Sequence, residues 1–178
     1  MADPAINHPL TPKRRWFLKT AVAIGALGTA LGGLVYWNRG MSDGRLTAAG
    51  QDVFHGLARG LLGAMLSADA AERERQLQLH LQRLEGFLNT LPAALRIQVN
   101  ALVGLLGNGP TRYLMTGLSS AWRDASDDDI AQALGHMRLN DLPSHRLAYQ
   151  VMRSITLMAF FTQQDNWSLT GYPGPLDI

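Results

Sequence analysis

Leu77, Leu81, Leu84, Leu88 and Leu91 step along the chain by four, three, four and three residues. That spacing builds one seam of an α-helix and fits no strand, whose faces alternate every second residue. The same rhythm returns elsewhere. Val53, Leu57, Leu61 and Met65 recur every four residues, and Phe54 and Leu62 widen the stripe. Leu95, Val99, Leu102, Val103 and Leu106 share a face, as do Leu147, Val151, Met152, Ile155, Met158 and Phe161. No stretch alternates convincingly with period two. The sequence therefore predicts an all-α fold, a compact bundle of about five or six helices ending in an irregular tail.

Punctuation sets the boundaries. Met41 to Leu46 reads as a linker with Ser, Asp and Gly, and Thr47 as the N-cap of a helix running to Ser67. Gly56, Gly60 and Gly63 in that helix each cost up to about 1 kcal/mol against Ala, so they predict close approach of another helix. A second helix spans Asp69 to Asn89, with Glu72, Arg73, Glu74, Arg75 and Arg83 off the leucine seam and expected in solvent. Pro92 stops it and opens a third, which Gly107-Asn108-Gly109-Pro110 breaks. Thr111 to Arg123 reads as a short helix, then an irregular stretch holding Trp122. Ser126 before Asp127-Asp128-Asp129 marks a helix start, the carboxylates favouring the positive end of the dipole, and that helix ends near Arg138. The last helix, Ser144 to Gln164, is apolar over much of its girth and is expected to be central.

Charge is unevenly placed. Lys13, Arg14, Arg15, Lys19 and Arg39 lie in the first forty residues against Asp3 alone. Of 16 basic and 14 acidic residues, 11 and 13 therefore remain in residues 41–178, a net charge near −2. A nucleic-acid footprint needs a basic stripe on the folded part, and none is present. There is no cysteine, which removes disulfides, thiolate nucleophiles, iron–sulfur ligation and covalent c-type haem.

Two units follow: a leader over residues 1–40 and a helical domain over 41–178. From Thr20 to Trp37 the leader carries no charge for about 18 residues, roughly 27 Å as a helix and near the minimum for a bilayer span. Four cations precede the run and Tyr36 and Trp37 close it, which fits a cytoplasmic N-terminus. Arg14-Arg15-Trp16-Phe17-Leu18-Lys19 resembles the twin-arginine export signal, with Lys13 where that pattern has Ser or Thr. The resemblance implies export of an already folded protein by the twin-arginine translocase. The run ends in bulky Leu34-Val35-Tyr36-Trp37, so an uncleaved anchor in the inner membrane is expected; cleavage among the small residues from Ala26 to Gly33 is the alternative. Gly28 and Gly32 have the spacing of a helix-packing face, though small residues are ordinary in such signals.

Candidate chemistry is sparse. His55, His80, His136 and His145 lie far apart, with no helical His pair. Asp127-Asp128-Asp129 is explained by capping. No nucleophile elbow, phosphate loop or dinucleotide fingerprint occurs. No catalytic residue, metal ligand or cofactor ligand is assigned. The tail differs: Trp167, Tyr172, Pro173, Gly174 and Pro175 crowd a polar stretch, and large aromatics near a terminus predict docking, on this domain or on a partner.

The leader, the opening "LTAAGQDVFHGLARGLLG" and the closing "WSLTGYPGP" together resemble the small, cofactor-free subunit of membrane-associated FAD-dependent dehydrogenases, the gluconate 2-dehydrogenase subunit 3 family. The resemblance implies a non-catalytic accessory subunit on the periplasmic side of the inner membrane. FAD would lie in a large partner of the glucose–methanol–choline type, with a cytochrome c subunit as a further partner. The small subunit would assist maturation of the flavoprotein and lend it the export signal at Arg14, Arg15, Phe17, Leu18 and Lys19. Trp167, Gly171, Tyr172, Pro173, Gly174 and Pro175 would meet the partner. Two other readings stay open. One is a membrane-anchored helical binding protein for an apolar ligand, its last helix lining a cavity. The other is an enzyme, which would need histidines and carboxylates gathered in one pocket.

Overall fold

A computed structural model describes residues 39–164, 166 and 167. Its first element corrects an expectation. Strands β1 (Met41–Ser42) and β2 (Arg45–Leu46) pair antiparallel, with Met41 opposite Leu46. The turn residues Asp43 and Gly44 both have positive φ, 51° and 76°. A two-residue type I′ turn requires such angles, and Asp-Gly is among its preferred sequences. The expected linker is thus a small hairpin. Asn100 ties it down, its side chain bonding both the N–H and the C=O of Met41 at 2.8 and 3.2 Å.

Six α-helices follow among the described residues: α1 (Ala48–Leu62), α2 (Ala70–Thr90), α3 (Ala93–Gly107), α4 (Gly109–Thr116), α5 (Asp127–Leu139) and α6 (Pro143–Phe161). The fold is all-α, as expected. Thr47 caps α1, its hydroxyl accepting from the Gly50 N–H at 3.1 Å. The helix stops short of Ser67: a 3₁₀ turn over Gly63–Met65 follows it, and Leu66 is extended. Asp69 caps α2 by accepting from the Glu72 N–H. Ser126 and Asp129 form a reciprocal capping box at the start of α5, which satisfies donors that would otherwise be orphaned. Helix α4 begins at Gly109 rather than Thr111, with Pro110 in its first turn, where a missing N–H costs nothing.

The last helix shares the centre with α1. Helix α1 packs against α2, α3, α5 and α6 and buries Val53, Phe54, Leu57, Ala58 and Leu62. Helix α6 packs against α1, α2, α3 and α5 and buries a stripe from His145 to Phe160. Its other face carries exposed Arg153 and Ser154, and Met158 is 46 % exposed. The glycines of α1 explain part of this. A Cβ on Gly60 would stand 2.6 Å from both Ile130 and Leu134 of α5, and one on Gly56 would stand 2.7 Å from the Cβ of Trp122. These contacts are closer than real Cβ atoms tolerate, so glycine is what lets α5 and the Trp122 segment reach the central helix. Gly63 has no such role, since its nearest neighbour would be an arginine tip at 3.7 Å.

The irregular stretch from Gly117 to Ala125 is held by polar groups. Arg112, 7 % exposed, donates to the carbonyls of Leu118, Gly107 and Ser119 at 3.1–3.3 Å. Trp122 is fully buried and its indole N–H donates to the Leu106 carbonyl at 2.9 Å. Asp52 of α1 accepts from the N–H groups of Trp122 and Arg123.

Candidate functional site

The export-signal residues Arg14, Arg15, Phe17, Leu18 and Lys19 lie outside the described residues, as do the uncharged run Thr20 to Trp37 and the tail residues Gly171, Tyr172, Pro173, Gly174 and Pro175. Among the described residues no helix is long and apolar enough to cross a membrane.

Trp167 is described, and it is half-buried against its own chain. Its indole N–H donates to the Phe161 carbonyl at 2.7 Å, and the Asn166 side-chain amide donates to the Phe160 carbonyl at 2.7 Å. The last carbonyls of a helix lack partners within it. Asn166 and Trp167 supply two such partners to α6, so the start of the aromatic tail is fixed to the helix end.

Asn166 also stands at the edge of a groove of about 300 Å³ between the 3₁₀ turn, α2 and the end of α6. Met65, Leu66, Leu79 and Phe160 make it apolar, while Arg75, Gln76, His80 and Arg83 bring polar groups. His80 belongs to the leucine seam, between Leu77 and Leu84, and is 3 % exposed. Its ring lies tilted to Phe160, with centroids 6.0 Å apart, and neither ring nitrogen has a hydrogen-bond partner. Burial, assisted by the charge of Arg83, pushes its pKa down from 6.5 to about 4. The imidazole is therefore neutral near pH 7.

A second polar cluster joins α1, α2 and the start of α5. The Asp127 carboxylate accepts from Arg59 at 2.6 Å and from Arg73 at 3.0 Å. Desolvation alone would raise its pKa, but the hydrogen bonds and charges of the two arginines outweigh that and hold it below the usual value. Buried His55 meets Glu74 at 3.0 Å. The Gln78 hydrogen bond lowers the Glu74 pKa against desolvation, and His55 adds to the effect. Arg73 and Glu74, expected in solvent, thus reach across to other elements, whereas Arg75 pairs with Glu72 on the surface of α2. The cluster fastens three helices.

The other two described histidines serve α4. His136 and His145 stand edge to face, 6.3 Å between centroids. Their nitrogens lie 3.3 and 3.4 Å from the carbonyls of Met115 and Leu114, at the end of α4. Among the described residues no three histidine or carboxylate side chains are grouped to hold a metal ion. Near this end Tyr113, Leu114, Leu139 and Leu142 are all more than half exposed. A shallow groove of about 430 Å³ also lies between the hairpin and α3, floored by Met41, Ile97 and Asn100.

The sequence overlooked Arg112 and the His80 groove. For Arg112 no local signal exists, because its carbonyl partners are set by the turn that follows α4. For His80 a signal was present, since it falls on the buried side of the leucine seam. Comparison with protein-family models, with curated proteins and with solved structures finds no match to this chain.

Proposed function

We propose that the chain is a non-catalytic accessory subunit that carries a folded FAD-dependent dehydrogenase through the twin-arginine route and holds it at the periplasmic face of the inner membrane. The observation that carries this reading is Arg14-Arg15-Trp16-Phe17-Leu18-Lys19 ahead of the uncharged run from Thr20 to Trp37. Export in the folded state benefits a protein whose cofactor must be locked in before transport. In this reading the beneficiary is a partner that binds FAD and lacks a signal of its own.

Two features of the helical body support it. Trp167, the first of the proposed contact residues, is fixed to the end of α6 and is held in place there. Tyr113, Leu114, Leu139 and Leu142 expose apolar area of the kind that partners cover. A cytochrome c subunit would then take the electrons onward.

The test is a double substitution of Arg14 and Arg15 by Lys, which keeps the charge and removes the receptor-read pair. Flavoprotein in the periplasm should fall with the variant and accumulate, folded, in the cytoplasm. Unchanged periplasmic flavoprotein would overturn the reading.

A further inference from the structure

We propose that the groove at His80 is a binding site for a carboxylic acid with a compact apolar body, the carboxylate seated between Arg83 and the His80 imidazole. The inference goes beyond the escort reading and does not depend on it.

Most polar groups of the groove already have partners. Arg75 is committed to Glu72 at 2.6 Å. Gln76 accepts from the Ser67 N–H and donates to Glu72. Asn166 donates to the Phe160 carbonyl. Two polar side chains remain without a hydrogen-bond or ion-pair partner among the described residues. Arg83 is half-buried at the groove and makes no ion pair or hydrogen bond among the described residues. His80 has both nitrogens shielded from water and without partners. Buried nitrogens in that state are costly, and native structures seldom leave both unpaired.

The unspent groups are a guanidinium and a neutral imidazole, and among the described residues no carboxylate lines the groove. A guanidinium matches a carboxylate through two parallel hydrogen bonds, and the His80 ring, which lines the groove, would add a third once a ring N–H turned toward the ligand. A cation would be repelled by Arg75 and Arg83. A neutral hydroxyl would leave Arg83 without a counter-charge. A phosphate would gain nothing from Met65, Leu66, Leu79 and Phe160, whose apolar surface calls for an aliphatic or aromatic body. The volume, about 300 Å³, is at the small end of ligand sites and suits a small acid.

The test uses the full chain in phosphatidylcholine nanodiscs with ¹³C-labelled histidine, the His80 signal being assigned by its loss in His80→Leu. The probe is 4-phenylbutyrate, and 4-phenyl-1-butanol is the neutral comparator, both referenced to empty nanodiscs. The acid should shift the His80 signal saturably and bind about tenfold more tightly than the alcohol, as a charge-assisted pair predicts. Arg83→Gln should remove that preference while leaving the melting temperature and the alcohol's weak binding unchanged. Equal affinity for acid and alcohol, no movement of the His80 signal, or an acid preference that survives Arg83→Gln would each overturn the proposal.

Discussion

Replacing His80 with leucine should stabilise the protein and flatten its response to acid. The side chain is 3 % exposed, its ring nitrogens are unpaired, and its pKa in the fold is about 4. In the unfolded chain it titrates near 6.5. Between those values the unfolded state binds more protons, so stability rises with pH and is lost as pH falls from the unfolded pKa toward the folded one. At about 1.36 kcal/mol per pKa unit the full loss is about 3 kcal/mol below pH 4, and about 2 kcal/mol is already gone at pH 5. Leucine has nearly the same bulk and no proton to bind. It also removes two orphaned nitrogens, so a gain of about 1–2 kcal/mol is expected near neutrality. The assay is urea unfolding of both proteins at about pH 7.5 and about pH 5, and the difference between them isolates His80 from carboxylates common to both. The stabilisation by leucine should grow by about 2 kcal/mol on going to the lower pH. A constant difference, or a destabilised leucine variant at neutral pH, would refute the reasoning that His80 is buried neutral and unpaired.

Arg112→Met should lower stability by at least about 2–3 kcal/mol in denaturant unfolding, because three carbonyls lose a charged donor; a loss below 1 kcal/mol would mean that water replaces it. Gly60→Val should cost about 1–3 kcal/mol in the same assay despite leaving a poor helix former behind, because the new Cβ would meet Ile130 and Leu134 at 2.6 Å. Asp127→Asn should cost only about 0.5–1 kcal/mol, since the carboxylate side chain is 50 % exposed and screened. The depressed Asp127 pKa signifies stability that is present above the unfolded value and lost as pH falls through the folded one, so the cost of the asparagine should vanish in acid titration.

What the sequence disclosed was whatever depends on neighbours along one helix. Leu77, Leu81, Leu84 and Leu88 line the buried side of α2 because a 3.6-residue period fixes them there. Thr47 and Ser126 cap because a side-chain oxygen can bond an N–H three residues on, whatever the tertiary context. What depends on distant partners stayed hidden. Composition marked α6 as central, but not that α1 shares the place, where its glycines admit α5 and Trp122 closer than a Cβ would allow. The hairpin went unread because two-residue strands show no alternation, although Asp43-Gly44 carried the turn signal. Of the residues assigned to partner contact, only Trp167 is described, and it proved to be fastened to its own helix, one of the two dockings the sequence had allowed.

The central claim is that this chain serves a flavoprotein. Purifying the full-length chain from membranes in mild detergent tests it most directly. A large polypeptide should elute with it in fixed ratio, and the complex should carry the visible absorbance of bound flavin, which the small chain purified alone should lack. A monodisperse, colourless small chain, recovered from membranes where the export pair Arg14 and Arg15 is intact, would contradict the account.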